Sequence, residues 1–385
     1  MEWLGTAQTS FTHSPSTIKL NESDGTESDL STVCRESTPP CKLNPLLFNG
    51  HLQTMWTAIG KEGPHLHYKR KIFEASDQTY AGTFAVDFLA EPSSETDETL
   101  PIRTTYFSDN EFKNMKSSGF EDDRPMLVIL HGLSAAFLYN ARATWDCRQT
   151  ISWLRQNFPH RRLYGLGFSL GANILTNYIG EEGSACILEA AVVISNPWSL
   201  EVGSAALRRT WLGREVYSKT MGGNMKRLLE LHYDFVSQNP KLDFEKIRKA
   251  VYLHEFDRLV QGPTWGYPTE GAYYRDASST DALLAVKIPL FAINAVDDPI
   301  VTNEAIPYEE IKKNPYTVLC TTSLGGHLSW FEIGGFQWHA RPTVNFLKNM
   351  ALMKVKKPTK EDTSDADGKY PGMVIFDPIR HKLHA

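Results

Sequence analysis

The sequence predicts an α/β protein: a mostly parallel sheet covered by helices, with a helical insertion. Short apolar runs alternate with helix-spaced segments along the chain, the pattern of such a sheet. One run, Leu163 to Leu166, meets Gly167-Phe168-Ser169-Leu170-Gly171, and Ile174, Leu175, Tyr178 and Ile179 follow at helical spacing. That reads as strand, sharp turn, helix. Two later runs end at Asp297-Asp298-Pro299 and at Gly325-Gly326-His327, so polar residues gather at strand ends, where open α/β sheets collect ligands.

Composition bounds what else the chain does. Its 385 residues suffice for one large domain with appendages. With 41% hydrophobic and 22% charged residues it has an ordinary globular balance. A net charge of −5 leaves no basic footprint, so no nucleic-acid partner is expected. Cys34, Cys41, Cys147, Cys186 and Cys320 are scattered without metal-ligand spacing, which favours a reducing, cytoplasmic setting. No run reaches the roughly 18 apolar residues of a membrane span. Peripheral contact with a membrane or lipid droplet stays open, and no partner protein is implied. Leu170 stands where a dinucleotide fingerprint needs its third glycine, and neither a phosphate loop nor His-Glu-x-x-His occurs. No cofactor and no metal are expected.

Residues 1–40 are rich in Ser, Thr, Asp and Glu and are expected to be disordered. The domain is expected over 41–353, starting with Asn44 to Trp56, where His51 reads as a packed histidine. Tyr68 to Glu74 and Thr83 to Leu89 alternate like strands. Residues 108–123 are polar and read as a loop. Pro125 to Leu130 is continuously apolar, as a strand buried on both faces would be, and ends at His131-Gly132-Leu133. Trp145 to Arg155 reads as a helix, and Cys186 to Ile194 as a buried strand. Residues 198–285 turn helical, with Gly222-Gly223 as a helix-ending turn, and read as an insertion over the sheet. Its aromatics, Trp265, Tyr267, Tyr273 and Tyr274, fit either a lid or plain core packing. Ile288 to Val296 and Thr317 to Thr322 are the last strands, Arg341 to Met350 is a closing helix, and 354–385 reads as a mobile tail.

A serine between strand and helix sits on a strained turn, with glycines where a side chain would clash and a helix start beneath it. Ser169 fits a nucleophile there. A hydroxyl needs a base, and His327 has the right intrinsic pKa. The imidazole needs an acid to fix its tautomer; Asp298 is preferred, with Asp297 its rival. The N–H groups of Leu170 and Leu133 are placed to hold an oxyanion. His131 reads as shaping the loop.

These segments resemble AB hydrolase family 4, which contains fungal medium-chain fatty-acid ethyl ester synthase/esterases and animal abhydrolase-1 and -3 type proteins. The resemblance is carried by Asn44 to Trp56, His131-Gly132-Leu133, Gly167 to Asn173, Phe256-Asp257, Gly266-Tyr267, Tyr273-Tyr274-Arg275-Asp276-Ala277-Ser278, Asn294 to Pro299 and Gly325-Gly326-His327. It implies an α/β-hydrolase fold and a serine esterase that also passes medium-chain acyl groups to alcohols, with acylglycerols among its esters. It gives Ser169, Asp298 and His327 the triad roles. One departure stands out. The interval from His131 to Ser169 holds a single helix, so one helix–strand unit is missing, and Ser134-Ala135-Ala136 replaces the Gly-rich continuation. A sheet without that strand either finds a new pairing or exposes an apolar edge. The other reading is therefore a catalytically impaired, truncated relative that at most binds lipid.

Overall fold

In the computed structural model the described residues are 5–21, 25–57, 64–76, 82–119, 122–133 and 140–355. The central sheet has six strands in the order Thr9–His13, Thr317–Thr322, Leu290–Ala295, Ala190–Ile194, Leu163–Phe168, Met126–Leu130. The last five run parallel; Thr9–His13 joins antiparallel along Thr317–Thr322. Alternate residues of each strand feed opposite faces. Leu163, Ala191, Val193, Ala292 and Leu319 fill the core on one face, and Leu166, Val192, Ile194, Ile293 and Cys320 that on the other. This is the α/β-hydrolase sheet with its helices.

The N-terminal forty residues depart from expectation. Residues 5–21 and 25–40 are ordered, with strands Thr9–His13, Lys19–Asn21 and Glu27–Asp29 and helix Leu30–Ser37. Few large apolar groups occur there, but Leu20, Leu30, Val33 and Cys34 are all fully buried. Asp29 caps the helix by accepting the Thr32 N–H, and hydroxyl donors hold its carboxyl well below the usual range against the effect of burial. These residues share one core with the central sheet, through Leu20, Leu30, Val33 and Cys34 against Val192, Ile293 and Cys320. At the other end Lys354–Val355 pairs with Leu20–Asn21, and the rest of the expected tail lies outside the described residues.

Four further expectations need correction. Residues 109–119 form a helix, not a loop. The Ser108 hydroxyl accepts the Glu111 N–H while the Glu111 carboxylate accepts the Ser108 N–H, a capping box, and Phe112 stacks on Trp153. Gly222-Gly223 lies inside helix Lys219–Leu231; a β-carbon on Gly222 would come within 2.8 Å of the Tyr252 carbonyl carbon, so glycine there permits close packing. The strand expected from Cys186 begins at Ala190. Met126–Leu130 is not buried on both faces: it is the sheet edge, with Leu127 42% and Ile129 57% exposed. Strands His67–Glu74, Thr83–Ala90 and Thr104–Tyr106 form a separate three-stranded sheet instead of extending that edge. The Ser134-Ala135-Ala136 replacement lies outside the described residues.

Between Ala190–Ile194 and Leu290–Ala295 the chain is helical, with Leu200–Arg209, Lys219–Leu231, Leu253–Leu259 and Glu270–Ala277 among the helices. They enclose a small core of Met225, Leu229, Ile247, Phe256 and Val260, against which Leu133 packs. Of the aromatics, Tyr273 and Tyr274 are buried, while Trp265 rests against Trp145.

Candidate active site

Strand Leu163–Phe168 ends at Ser169, whose backbone takes φ 50°, ψ −119°, and helix Leu170–Glu182 starts at the next residue. A β-carbon on Gly167 would lie 2.5 Å from the Ala172 Cα, and one on Gly171 would lie 2.3 Å from the Leu130 carbonyl oxygen. The turn therefore needs both glycines and stores its strain at the serine. The helix beneath is anchored from the insertion. The Asn173 and Asn177 amides donate to the Ala277 carbonyl, and Asn173 also donates to Ala141. The Tyr273 hydroxyl accepts the Ala141 N–H, and the Tyr267 hydroxyl donates to Asp276. The Tyr273 to Ser278 segment thus fastens the loop at Ala141 to the nucleophile helix.

The structure brings Ser169, Asp298 and His327 together from three strand ends. His327 Nε2 lies 2.9 Å from Ser169 Oγ, and His327 Nδ1 lies 2.8 Å from Asp298 Oδ2. Asp298 is buried, and its Oδ1 accepts the N–H groups of Ile300 and Val301 at 2.8 and 2.9 Å, which leaves Oδ2 aimed at the ring. Asp297 takes a different place: its Oδ1 accepts the Gly326 N–H at 3.0 Å. Burial, and then the neighbouring Asp298 charge, push the Asp297 carboxyl up to about 6. Of the two carboxylates, Asp298 is the one that touches the imidazole.

On the other side of the serine, a β-carbon at Gly132 would lie 3.3 Å from the Ser169 Cβ, so the loop after Met126–Leu130 skirts the hydroxyl. Leu133 and Leu170 line one cavity with Ser169. The Leu170 N–H is the first amide of that helix and has no carbonyl four residues back within it. His131 Nδ1 lies 2.8 Å from the Gly132 carbonyl oxygen, within its own loop. His51 pairs with Tyr217 at 2.8 Å and stacks on its ring. Burial and the Asp298 charge push the Tyr217 phenol up to about 12. Nothing in the spacing of the sequence marked Tyr217.

The cavity beside Ser169 measures about 120 Å³ and is walled mainly by apolar insertion side chains, among them Leu200, Leu207, Met221, Met225 and Leu253. Asp257 sits in its wall, accepting the Tyr274 hydroxyl at 2.7 Å. Burial pushes that carboxyl up to about 7. Chemically the arrangement can relay a proton from a hydroxyl to an imidazole backed by a carboxylate, next to an apolar slot.

Monoacylglycerol lipase of Saccharomyces cerevisiae is 32% identical to this chain over 386 residues, covering 84% of each protein. The chain is a member of AB hydrolase family 4. It matches no protein-family model. Among other relatives of this family-4 chain, medium-chain fatty acid ethyl ester synthase/esterase 2 of the same yeast is 27% identical over 421 residues, 86% of this chain and 91% of that enzyme. Human phospholipase ABHD3 is 33% identical over 197 residues, 50% of this chain and 47% of its own length. Among the described residues no helix is long and apolar enough to cross a membrane.

Proposed function

We propose that this chain is a serine ester hydrolase and alcohol acyltransferase for medium-chain acyl esters, ethyl esters and acylglycerols among them. The observation that carries the reading is one imidazole, His327, within hydrogen-bond distance of both the Ser169 hydroxyl and the Asp298 carboxylate. Ser169 Oγ attacks the ester carbonyl carbon while His327 Nε2 takes its proton. The oxyanion forms against the N–H groups of Leu170 and Leu133. His327 then returns the proton to the departing alkoxide, leaving an acyl-serine. Water, or a second alcohol, attacks that ester by the same route, and the choice between them sets hydrolysis or transfer. Asp298 holds the tautomer and offsets the imidazolium charge. The apolar cavity takes the acyl chain, each buried methylene adding about 0.8 kcal/mol. The names of the yeast relatives support the substrate class. Work at a lipid surface in a reducing compartment is consistent with these substrates and with the five free thiols.

Hydrolysis of p-nitrophenyl octanoate and of a monoacylglycerol by the full chain, with Ser169→Ala alongside, tests this. Turnover by the wild type, and a loss of about 10⁴-fold or more in Ser169→Ala, is the expected result. A wild type that melts cooperatively yet turns over neither ester would favour the impaired relative that only binds lipid.

A further inference from the structure

The Asn44 to Trp56 segment does no chemistry in the mechanism above, yet its helix Gly50–Trp56 lies directly against the His327 loop. The Thr54 hydroxyl accepts the His327 backbone N–H at 2.9 Å and donates to the Gly50 carbonyl at 2.7 Å. One residue earlier, the Asp297 carboxylate accepts the Gly326 N–H. Gly50 and Gly326 permit the approach: a β-carbon on Gly50 would lie 1.9 Å from the Asp297 carbonyl oxygen, and one on Gly326 would lie 2.7 Å from Thr54 Oγ1. Further along, fully buried Gln53 accepts the Phe331 N–H at 2.8 Å and donates to the Leu47 carbonyl at 3.1 Å. From the sheet side the Ser195 hydroxyl accepts the Leu328 N–H at 3.2 Å.

The loop needs holding. Gly326, Leu328 and Trp330 all have positive φ, 64°, 54° and 46°, a conformation that two of the three disfavour. A segment in that state keeps its shape only when its surroundings over-determine it. The imidazole inherits its position from the backbone N–H that Thr54 accepts, so a small shift there moves both ring nitrogens off their partners. Proton transfer tolerates little displacement of that kind.

We propose that Thr54 is a positioning residue for His327: through the His327 backbone it sets the distance from the imidazole to Ser169, with Gly50, Gly326 and Asp297 completing the seat. This rests on the esterase reading of the site. The test measures kcat and KM for p-nitrophenyl octanoate, and thermal melting, on the full chain with Thr54→Val, Thr54→Ser, Thr54→Ala, Thr150→Val and Ser169→Ala. Thr150 is the control, because its hydroxyl makes the same kind of back-bond as that of Thr54, to the Asp146 carbonyl four residues earlier at 2.8 Å, on helix Trp145–Asn157 and without contact to the His327 loop. Thr54→Val is expected to lower kcat about 10- to 100-fold with KM little changed, and Thr54→Ser to stay near wild type. Thr54→Ala carries the same expectation if the valine variant melts early. A Thr54→Val or Thr54→Ala protein that folds and keeps kcat within about twofold of wild type overturns the proposal while leaving the nucleophile reading intact. Equal losses in Thr54→Ser and Thr150→Val also overturn it, since they would mark general loosening. An inactive wild type overturns the esterase reading and this proposal with it.

Discussion

Asp297 and Asp298 are neighbours of the same chemical type, and their surroundings give them different work. Asp298 spends Oδ1 on two backbone N–H groups and presents Oδ2 to the imidazole. Asp297 holds the backbone of the loop that carries the imidazole. Asp298→Asn is therefore expected to lower kcat by about 10⁴-fold, because an amide cannot stabilise the imidazolium and favours the wrong tautomer. Asp297→Asn keeps an acceptor for Gly326 and should cost far less; steady-state kinetics of the two variants decides it. A larger loss at Asp297 would move the acid role there. The sequence offered both aspartates because order along the chain does not say which way a carboxylate points. It was more informative about Ser169 and His327, since each follows a strand on a turn only glycine neighbours permit. Thr54, Gln53 and Ser195 stayed invisible: ordinary polar residues that matter only through the backbone groups they meet.

The elements that were legible are those with strong local patterns. Leu163–Phe168 and Leu290–Ala295 are mainly apolar runs, and Thr317–Thr322 sets Val318, Leu319 and Cys320 among β-branched threonines; all three are interior strands of the sheet, as their composition implied. Illegible elements depended on distant partners. Helix Leu30–Ser37 has apolar positions at Leu30, Val33 and Cys34 under an Asp29 cap, a signal submerged in polar composition. Helix Asp109–Gly119 begins with a Ser108-to-Glu111 capping box that the polar character of its sequence masked. The insertion's helices were legible, but the slot they close was not. Met221 is a partly buried wall of that slot, so Met221→Trp is expected to shorten it. Relative kcat/KM across p-nitrophenyl esters of increasing chain length should shift toward shorter acyl groups, by about fourfold for each methylene excluded. An unchanged chain-length profile would place the acyl group elsewhere.

Across the whole molecule, the two edges of the central sheet differ among the described residues. Met126–Leu130 is an edge strand with Leu127 and Ile129 open to solvent, an arrangement that invites association. The opposite edge is closed by Thr9–His13, contributed by a segment whose composition argued for disorder. Ser169 stands one strand in from the open edge, paired through Gly167↔Leu130 on that side and Phe168↔Ile194 on the other. Asp298 and His327 follow strands deeper in the sheet. Ser169, Asp298 and His327 are therefore brought together by strands that are paired on both sides in the central sheet. Treating the full chain with a fluorophosphonate and mapping the adduct by mass spectrometry tests this most directly. A single stoichiometric adduct on Ser169, lost when His327 is replaced by alanine, is the predicted result; an unlabelled Ser169 in a protein that melts cooperatively would contradict it.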